Sequence, residues 1–317
     1  QAIIWLQKIY DTLFDAVKDG KIKGVYFKNT KSNIEEYIET DNVILATGHS
    51  ARDVFEMLYK NSIALAQKNF AVGVRIEHLR SDIDKSLYGN YAGHKALKSA
   101  DYKLVSHLKN SRSLYTFCMC PGGYVVNASS EKENLAVNGM SLFARDAENS
   151  NSALLTGISP LDLNSDNPLS GMYFQRDIEH KAFIAGGGNY NVPVCLCGDF
   201  LERRNSASLG RIKPSCMPDY KFALPDEYLP DFVCETLRAG IKDMARKIKG
   251  FDCYDAVITG VESRSSSPVR ITRDENLQSV SVQGLYPCGE GAGYAGGIVS
   301  AGVDGVKCAE AVLKKLY

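Results

Sequence analysis

The sequence lacks an excess of charge of either sign and lacks any long apolar run. Lys plus Arg and Asp plus Glu number 37 each, whereas nucleic-acid binders usually carry a basic stripe. No apolar stretch approaches the roughly 20 residues that a membrane-spanning helix requires. We therefore expect neither nucleic acid nor a membrane as a partner, and we expect a small-molecule substrate instead. The oligomeric state is left open.

The sequence also lacks the marks of an exported or metal-binding chain. Its first residues show no basic segment with a cleavage site, and nine cysteines without an export signal favour reduced thiols in the cytoplasm. The five histidines show no ligand spacing, and zinc sites more often use C-x-x-C than the C-x-C of Cys118 and Cys120. We predict no metal. The C-x-C motif remains open as a redox dithiol, a metal half-site or a buried strand end that lines a pocket.

Apolar periodicity predicts an α/β pattern at both ends of the chain and an α+β pattern between them. Residues 42–48 form a continuous apolar run ending at glycine, which is typical of a strand buried in a parallel sheet. Asp19-Gly20 indicates a hairpin turn, and Ser50 is a candidate cap for the helix that follows. The other predicted elements are hairpin strands at 13–17 and 22–27, a short strand ending near 41, helices at 51–59, 169–185, 229–248 and 298–316, and a strand at 285–289.

The sharpest motif is the segment 289–298, GEGAGYAGGI, which we call the glycine elbow. Gly291, Gly293 and Gly296 satisfy G-x-G-x-x-G between a strand and a helix. A dinucleotide fingerprint also needs a second parallel strand with an acid about 20 residues later, and the chain ends before one can form. The elbow could instead present a helix N-terminus to a ligand, or it could simply let the helix pack closely on the sheet.

Several motifs resemble those of a family of uncharacterised bacterial NAD/FAD-utilising dehydrogenases with the glutathione-reductase type of FAD fold. The resemblance spans roughly residues 10–315. It is carried by ILATGHSARD at 44–53, FAVGVRIEH at 70–78, FCMCPGGYV at 117–125, GGGNY at 186–190, ESRSSSPVR at 262–270 and the glycine elbow.

The resemblance implies an FAD-dependent oxidoreductase that transfers a hydride or electrons between flavin and an unknown small substrate, with NAD(P) as a further candidate co-substrate. It implies a discontinuous, Rossmann-like FAD-binding domain at 1–50 and 276–317, interrupted by an inserted mixed α+β substrate domain at 51–275. Two alternatives stay open: a flavin-dependent RNA-modifying enzyme, which the balanced charge disfavours, and a non-catalytic binding module that has lost the cofactor loop.

The candidate site residues fall into three groups. The candidate catalytic residues are Arg264, Tyr124 and His78, because such side chains can move or stabilise a proton. Arg75, Asn189 and Arg270 are candidates for substrate binding, since guanidinium groups capture carboxylate and phosphate. The candidate cofactor-binding residues are Thr47, Gly48, Gly289, Glu290, Gly291, Ala292, Gly293, Gly296, Gly297 and Ile298.

The family carries a G-x-G-x-x-G loop in an N-terminal βαβ unit that grips the FAD pyrophosphate. Here no such loop precedes residue 50, and the chain begins with Gln1, so we expect an N-terminally truncated chain. We therefore predict that this chain alone binds FAD weakly or not at all and is inactive by itself. Absorbance spectra of the purified chain test this, and tight stoichiometric flavin would contradict it.

Overall fold

The computed structural model of the chain describes residues 17–28, 34–109, 111–216 and 218–316. The chain divides into two compact units. The first unit consists of Gln1–Phe70, Ser159–Tyr173 and Ser266–Tyr317, and the second consists of Ala71–Ile158 and Phe174–Ser265. These bounds differ from the predicted 1–50 plus 276–317 and 51–275, and the functional role of each unit stays a prediction.

Short strands make up most of the regular structure. In chain order they are β1 Val17–Lys18, β2 Lys21–Ile22, β3 Gly24–Lys28, β4 Glu35–Glu39, β5 Val43–Leu45, β6 Leu65–Gln67, β7 Phe70–Leu79, β8 Val105–His107, β9 Ser113–Cys120, β10 Gly123–Asn127, β11 Val137–Ser141, β12 Asn149–Ile158, β13 Val192–Leu196, β14 Tyr220–Phe222, β15 Val257–Glu262, β16 Val269–Ile271 and β17 Leu285–Pro287.

The α-helices are fewer and lie between groups of strands. They are α1 Arg52–Lys60, α2 Arg80–Tyr88, α3 Ser170–Ala185, α4 Cys197–Leu201, α5 Asp231–Met244 and α6 Ile298–Leu316, with short 3-10 turns at Gly89–Tyr91, Pro160–Asp162 and Pro225–Glu227. Across the described ranges, no helix combines the length and apolar character needed to cross a bilayer.

Most predicted elements are present with shifted ends. Strands cover residues 22, 24–27 and 43–45 of the predicted runs, and helices occupy 170–185, 231–244 and 298–316. One detail was wrong: the N-cap position of α1 is Ala51 rather than Ser50. The predicted strand residues 13–16 and polar loop 29–33 lie outside the described residues.

The first unit is organised around a parallel strand pair. Strand β17 pairs with β5, with Leu285 opposite Val43 and Pro287 opposite Leu45. The Cys288 amide extends the pairing by donating to the Leu45 carbonyl at 2.9 Å. Helix α1 packs against this pair through Val54, Phe55 and Leu58, which are buried with Leu45 and Leu285 in one hydrophobic cluster. Two parallel strands therefore end together over a common core.

A buried ion pair anchors the end of β17 to α6. Asp304 accepts hydrogen bonds from Arg273 Nη2 at 2.6 Å and Nη1 at 2.9 Å, and from the Gly289 amide at 2.7 Å. Arg273 Nη1 also donates to the Pro287 carbonyl at 2.8 Å. Burial alone would raise the pKa of Asp304, but the hydrogen bonds from Arg273 and Gly289 outweigh it and hold that pKa below its usual range.

The second unit contains a seven-stranded mixed sheet in the order β14-β13-β15-β7-β12-β9-β8. Strand β13 is parallel to β14 and antiparallel to β15, and β15 is antiparallel to β7. The central strand β7 is buried along nearly its whole length, which explains the apolar residues with which it begins. Helix α5 covers β9 closely, since a Cβ added to Gly240 would lie 2.4 Å from Leu114. The observed class is thus mixed α/β with a large mixed sheet.

Gly73 and Gly157 both lie in strands of the second unit, but only at Gly73 is there no room for a side chain. A Cβ on Gly73 would lie 1.9 Å from the Leu154 carbonyl oxygen, whereas a Cβ on Gly157 would meet nothing within 4 Å. We expect Gly73→Ala to lower the free energy of unfolding by about 3 kcal/mol, because backbone atoms must shift. Gly157→Ala should change it by less than about 0.5 kcal/mol. Guanidinium denaturation measures the stability of both variants. Equal stability would contradict the close approach of Gly73 to the Leu154 backbone.

Asp304→Asn tests the ion pair that anchors β17 to α6. Because the folded pKa of Asp304 is depressed, its contribution is present above the unfolded value of about 3.9 and is lost as pH falls through the folded pKa. We expect the free energy of unfolding of the variant to be about 2 to 3 kcal/mol lower at neutral pH, because Arg273 stays buried without its charged partner.

The same variant should lose less stability than the parent chain between pH 7 and pH 3. Urea unfolding at several pH values provides the measurement. Glu310→Gln, which removes an exposed carboxylate from the same helix, serves as the matched control and should behave like the parent. An Asp304→Asn variant with the parent's acid sensitivity would contradict the assignment.

Candidate functional site

The glycine elbow and the Thr47-Gly48 strand end lie side by side. Both follow the carboxyl ends of the paired parallel strands β17 and β5. A Cβ added to Gly291 would lie 2.6 Å from the Gly48 carbonyl carbon, and one added to Gly293 would lie 2.8 Å from the Val269 carbonyl oxygen. Two glycines of the elbow are therefore required for close backbone packing, which the sequence had left as one of two interpretations.

The last part of the elbow is open. A Cβ on Gly296 or Gly297 would meet no atom within 4 Å, and the side chains of Ile298 and Val299 are 94% and 81% exposed. The first amide of α6 bonded to the elbow is that of Ala301, which donates to the Gly297 carbonyl at 2.9 Å. The preceding amides of the first turn have no intrahelical acceptor. Open glycines, apolar side chains and amide donors thus share one surface.

Charged side chains surround the elbow. His49 Nε2 lies 3.3 Å from Glu290 Oε1. Glu290 is a predicted cofactor-binding residue, whereas the sequence analysis did not select His49. Lys68 is half-buried and donates weakly to the Ser267 carbonyl at 3.4 Å. Burial lowers the pKa of Lys68, the charge of Arg270 lowers it further, and Glu290 opposes both. Two cations and one carboxylate are therefore electrostatically coupled here.

Arg270 is the predicted substrate-binding residue that lies at the elbow. It is exposed, its Nη2 donates to the Gly293 carbonyl at 3.4 Å, and its guanidinium carbon lies 5.1 Å from the centre of the Tyr294 ring. Ser267 holds the adjoining strand to the elbow by donating to the carbonyls of Val269 at 2.8 Å and Gly291 at 3.2 Å. The backbone at Arg270 is thus fixed against the elbow, and its side chain is accessible to solvent.

Arg75, in the second unit, is buried in a polar network. Its Nε donates to Asn151 Oδ1 at 2.8 Å, its Nη1 lies 3.1 Å from Glu262 Oε2, and its Nη2 donates to the Cys118 carbonyl at 2.7 Å. A Cβ on Gly139 would lie 2.2 Å from Nη2, so the guanidinium is covered by backbone. A buried, hydrogen-bonded ion pair fixes Arg75, and its substrate role stays a prediction.

His78 is buried against Phe251. Its Nε2 lies 2.8 Å from the Phe251 carbonyl oxygen, so this nitrogen carries the proton and donates it. Burial lowers the pKa of His78, although the Phe251 carbonyl partly opposes the shift. The imidazole is therefore held neutral within the second unit.

Arg264 forms a two-point pair with Glu179. Its Nη2 lies 2.8 Å from Glu179 Oε2 and its Nε lies 3.1 Å from Oε1. The exposed fraction of the Arg264 side chain is 9%, and that of Glu179 is zero. Arg264 also contacts the Ser130 hydroxyl. Such a pair orients the guanidinium and neutralises part of its charge.

Tyr124 and Asn189 are the accessible candidates of the second unit. Tyr124 lies on β10, opposite Met140 of β11, and is 42% exposed. Asn189 is exposed and accepts a hydrogen bond from the Asn191 amide at 3.2 Å. It follows the glycines that end α3, where Gly187 and Gly188 have positive φ angles. The triple glycine therefore ends the helix.

Within the described ranges, one group of three potential metal ligands lies close together: Cys288, Asp304 and Cys308. Their ligand atoms lie within 4.8 Å of one another and are buried. Arg273 already donates to Asp304 and lies 3.7 Å from Cys308 Sγ, so a guanidinium occupies the cationic position. These residues fit an ion pair better than a metal ion.

Two surface depressions of about 520 and 470 Å³ are apparent among the described residues. The larger is lined by Gln67 and residues of the segment 160–166, and the smaller by residues of the segment 275–278 and of α6. The elbow residues line neither.

Two comparisons with known proteins bear on this arrangement. Residues 69–265 match the family described as "FAD-dependent protein, C-terminal domain-like", a stretch that contains nearly the whole second unit. A protein of Clostridium beijerinckii (strain ATCC 51743 / NCIMB 8052), described as "Uncharacterized protein", is 49% identical over 299 residues. The alignment covers 94% of this chain and 55% of the relative, so the chain spans about half the relative's length.

These findings support FAD as the cofactor, whereas the glutathione-reductase type of fold and a nicotinamide co-substrate stay predictions. The matched stretch covers more than half of the chain, and the relative extends the similarity to both units. The chain therefore belongs to the FAD-dependent protein family defined by this C-terminal domain.

Proposed function

We propose that the chain is the C-terminal part of an FAD-dependent oxidoreductase and supplies the surface for the isoalloxazine end of the flavin. The observation that carries the proposal is the shared edge where β5 and β17 end and α6 begins. Ligands of α/β proteins bind beyond the carboxyl ends of parallel strands. A flavin ring needs an apolar surface for its face and hydrogen-bond donors for its pyrimidine edge, and this edge offers both.

The residues present fit that group. Gly291 and Gly293 bring the elbow against Gly48 and β16, where a larger side chain would force the strands apart. Gly296 and Gly297 leave the backbone accessible, and Ile298 and Val299 expose an apolar surface beside it. Asp304 fixes Gly289 and hence the start of the elbow. The proposed cofactor residues are the ten predicted ones, with Thr47 and Gly48 on the β5 side.

Electrostatics favour an anionic group at this edge. The N-terminus of α6 carries roughly half a positive charge. Burial lowers the pKa of Lys68 most, and the charge of Arg270 lowers it further. An anion bound close to both cations would offset their repulsion. Glu290, beside His49, remains available to accept hydrogen bonds from ligand hydroxyls. The residues can thus stabilise the negative charge that develops at a pyrimidine edge on reduction.

FAD, when bound, would supply the hydride or electron transfer. The chain's own residues would hold and polarise the ring, while side chains of the second unit would bind substrate and move protons. Of the three proton-transfer candidates, Tyr124 is exposed, whereas His78 is buried and Arg264 is paired. We therefore place Tyr124 first as the proton-transferring residue, with Arg75, Asn189 and Arg270 as substrate-binding candidates and NAD(P)H as a candidate reductant.

Arg270→Gln tests the electrostatic part of the proposal. The variant should bind reduced flavin about fivefold more weakly, since one exposed charge contact is worth about 1 kcal/mol, and should bind oxidised flavin nearly as well as the parent. The midpoint potential of bound flavin should then fall by roughly 20 mV. Anaerobic titration with FAD, followed by absorbance and fluorescence, gives both quantities.

The control is Lys181→Gln, which removes an exposed lysine paired with Asp177 in the second unit and should leave both affinities unchanged. The longer Clostridium beijerinckii relative provides the reference for complete flavin binding, and its reduction by NADH and NADPH tests the oxidoreductase activity. The proposal fails if neither chain perturbs the flavin spectrum, or if Arg270→Gln and Lys181→Gln behave alike.

A further inference from the structure

Cys118 and Cys120 lie at an irregular point of β9, in the second unit. Phe117 pairs with Ala153 and Cys120 pairs with Asn151, so two residues of β9 lie opposite one residue of β12. This is a β-bulge. Cys118 adopts a positive φ of 43°, a conformation that costs a non-glycine residue about 1 kcal/mol. The bulge leaves Cys118 exposed and Cys120 buried.

The Arg75 guanidinium connects the two cysteines. Its Nη2 donates to the Cys118 carbonyl at 2.7 Å and lies 3.8 Å from Cys120 Sγ. Cys120 Sγ in turn lies 3.4 Å from the Cys118 carbonyl oxygen. Because backbone at Gly139 covers the guanidinium and Asn151 accepts from its Nε, Arg75 cannot swing away. A fixed positive charge therefore lies next to the Cys120 sulfur and the Cys118 backbone.

The charged and titratable groups that face this pair come from three strands and one loop: Arg75 on β7, Glu262 on β15, the other cysteine on β9 and Tyr102 before β8. A hydrogen bond from Cys120 lowers the pKa of the Cys118 thiol to about 6; burial opposes this shift and Arg75 adds to it. The same hydrogen bond, together with burial, raises the pKa of Cys120. The Glu262 carboxylate offsets part of the Arg75 charge.

Near neutral pH the pair therefore holds one proton, on Cys120, and one thiolate, on Cys118. Thiolate is the nucleophilic form of cysteine. The nearby buried thiol suits a second displacement, because Cys120 lies two residues along the same strand and its sulfur lies 3.4 Å from the Cys118 carbonyl oxygen.

We propose that Cys118 and Cys120 form a redox-active thiol pair that reduces small-molecule disulfides, with Cys118 as the attacking sulfur and Cys120 as the resolving sulfur. The site lies entirely within the second unit and is independent of the proposed flavin surface. Two other groups of cysteines are less suited to redox chemistry. Arg273 contacts both Asp304 and Cys308 in the group that includes Cys288, and Cys195 and Cys197 are both buried.

The reaction balances in two displacements. In the first, the Cys118 thiolate attacks one sulfur of the disulfide RS–SR, a Cys118–SR bond forms, and RS⁻ leaves and takes a proton from water. In the second, Cys120 loses its proton and its sulfur attacks Cys118 Sγ. The Cys118–SR bond breaks, and the second RS⁻ leaves with the proton from Cys120. The cysteine pair loses two electrons and the small disulfide gains two.

Arg75 supports the second displacement as well as the first. Once Cys118 is bound to SR it carries no charge, so the interaction that raised the pKa of Cys120 is gone. The guanidinium 3.8 Å away then stabilises the Cys120 thiolate as it forms. One fixed charge thus serves both sulfurs in succession.

Oxidised glutathione is the probe, and intact-protein mass spectrometry with peptide mapping is the readout. The native chain should lose two hydrogens, form the internal disulfide and accumulate no lasting glutathione adduct. Cys120→Ser should accumulate a glutathione adduct at Cys118. The rate for the native chain should reach half its plateau near pH 6.

At that pH, Cys118 should react roughly 10- to 20-fold faster than an unperturbed thiol, because a larger thiolate fraction outweighs its lower intrinsic nucleophilicity. Cys118→Ser should abolish this fast phase. Cys253→Ser, which removes the partly exposed thiol of the second unit, should leave it intact.

Peptide mapping of the native chain identifies the first modified cysteine without any variant, so a misfolded variant cannot mask the answer. Initial modification elsewhere than Cys118, a rate that rises only near pH 9, or a stable adduct on the native chain without the internal disulfide would each overturn the proposal.

Discussion

Asp304 is the residue on which the first unit depends. It receives the Gly289 amide and two guanidinium hydrogens of Arg273, while Arg273 also reaches the Pro287 carbonyl. These bonds join the end of β17, the start of the glycine elbow and the body of α6. The elbow then continues to Gly291, where its backbone meets that of Gly48. The ligand surface that we propose at this edge therefore depends on one buried charge pair and two parallel strands.

The second unit places a comparable constraint at Arg75. That guanidinium is fully buried yet has acceptors on three strands, namely Asn151, Glu262 and the Cys118 carbonyl. A buried charge is tolerated only when it is paired and hydrogen-bonded, which explains why β7 can carry arginine in the middle of an apolar run. The same charge lies 3.8 Å from the Cys120 sulfur, so a structural requirement of the sheet also contributes to the proposed chemistry of the cysteine pair.

Local patterns in the sequence predicted the elements that form the first unit. The apolar run before Gly48, the strand before Gly289 and the helix from Ile298 are visible because burial and glycine leave local signals. The proximity of the two glycine-containing ends is visible only in the structure. The flavin role of that edge and the catalytic assignments remain predictions.

Other parts of the candidate sites could not be read from the sequence. Lys68 lies more than 200 residues before Glu290 and becomes its neighbour only through the fold. The pairing of Arg273 with Asp304 joins a loop to a helix, and no periodicity marks it. The bulge at Cys118 depends on the register between β9 and β12, which side-chain alternation alone does not specify. Each of these features depends on contacts between residues that are distant in the sequence.

Amide hydrogen exchange of the chain in saturating FAD tests the central claim most directly. If the flavin ring lies at the common edge of β5 and β17, exchange should slow at residues 46–50 and 289–300 and stay unchanged in the helix stop at 186–190. Slower exchange confined to the second unit, with the glycine elbow unaffected, would contradict the account.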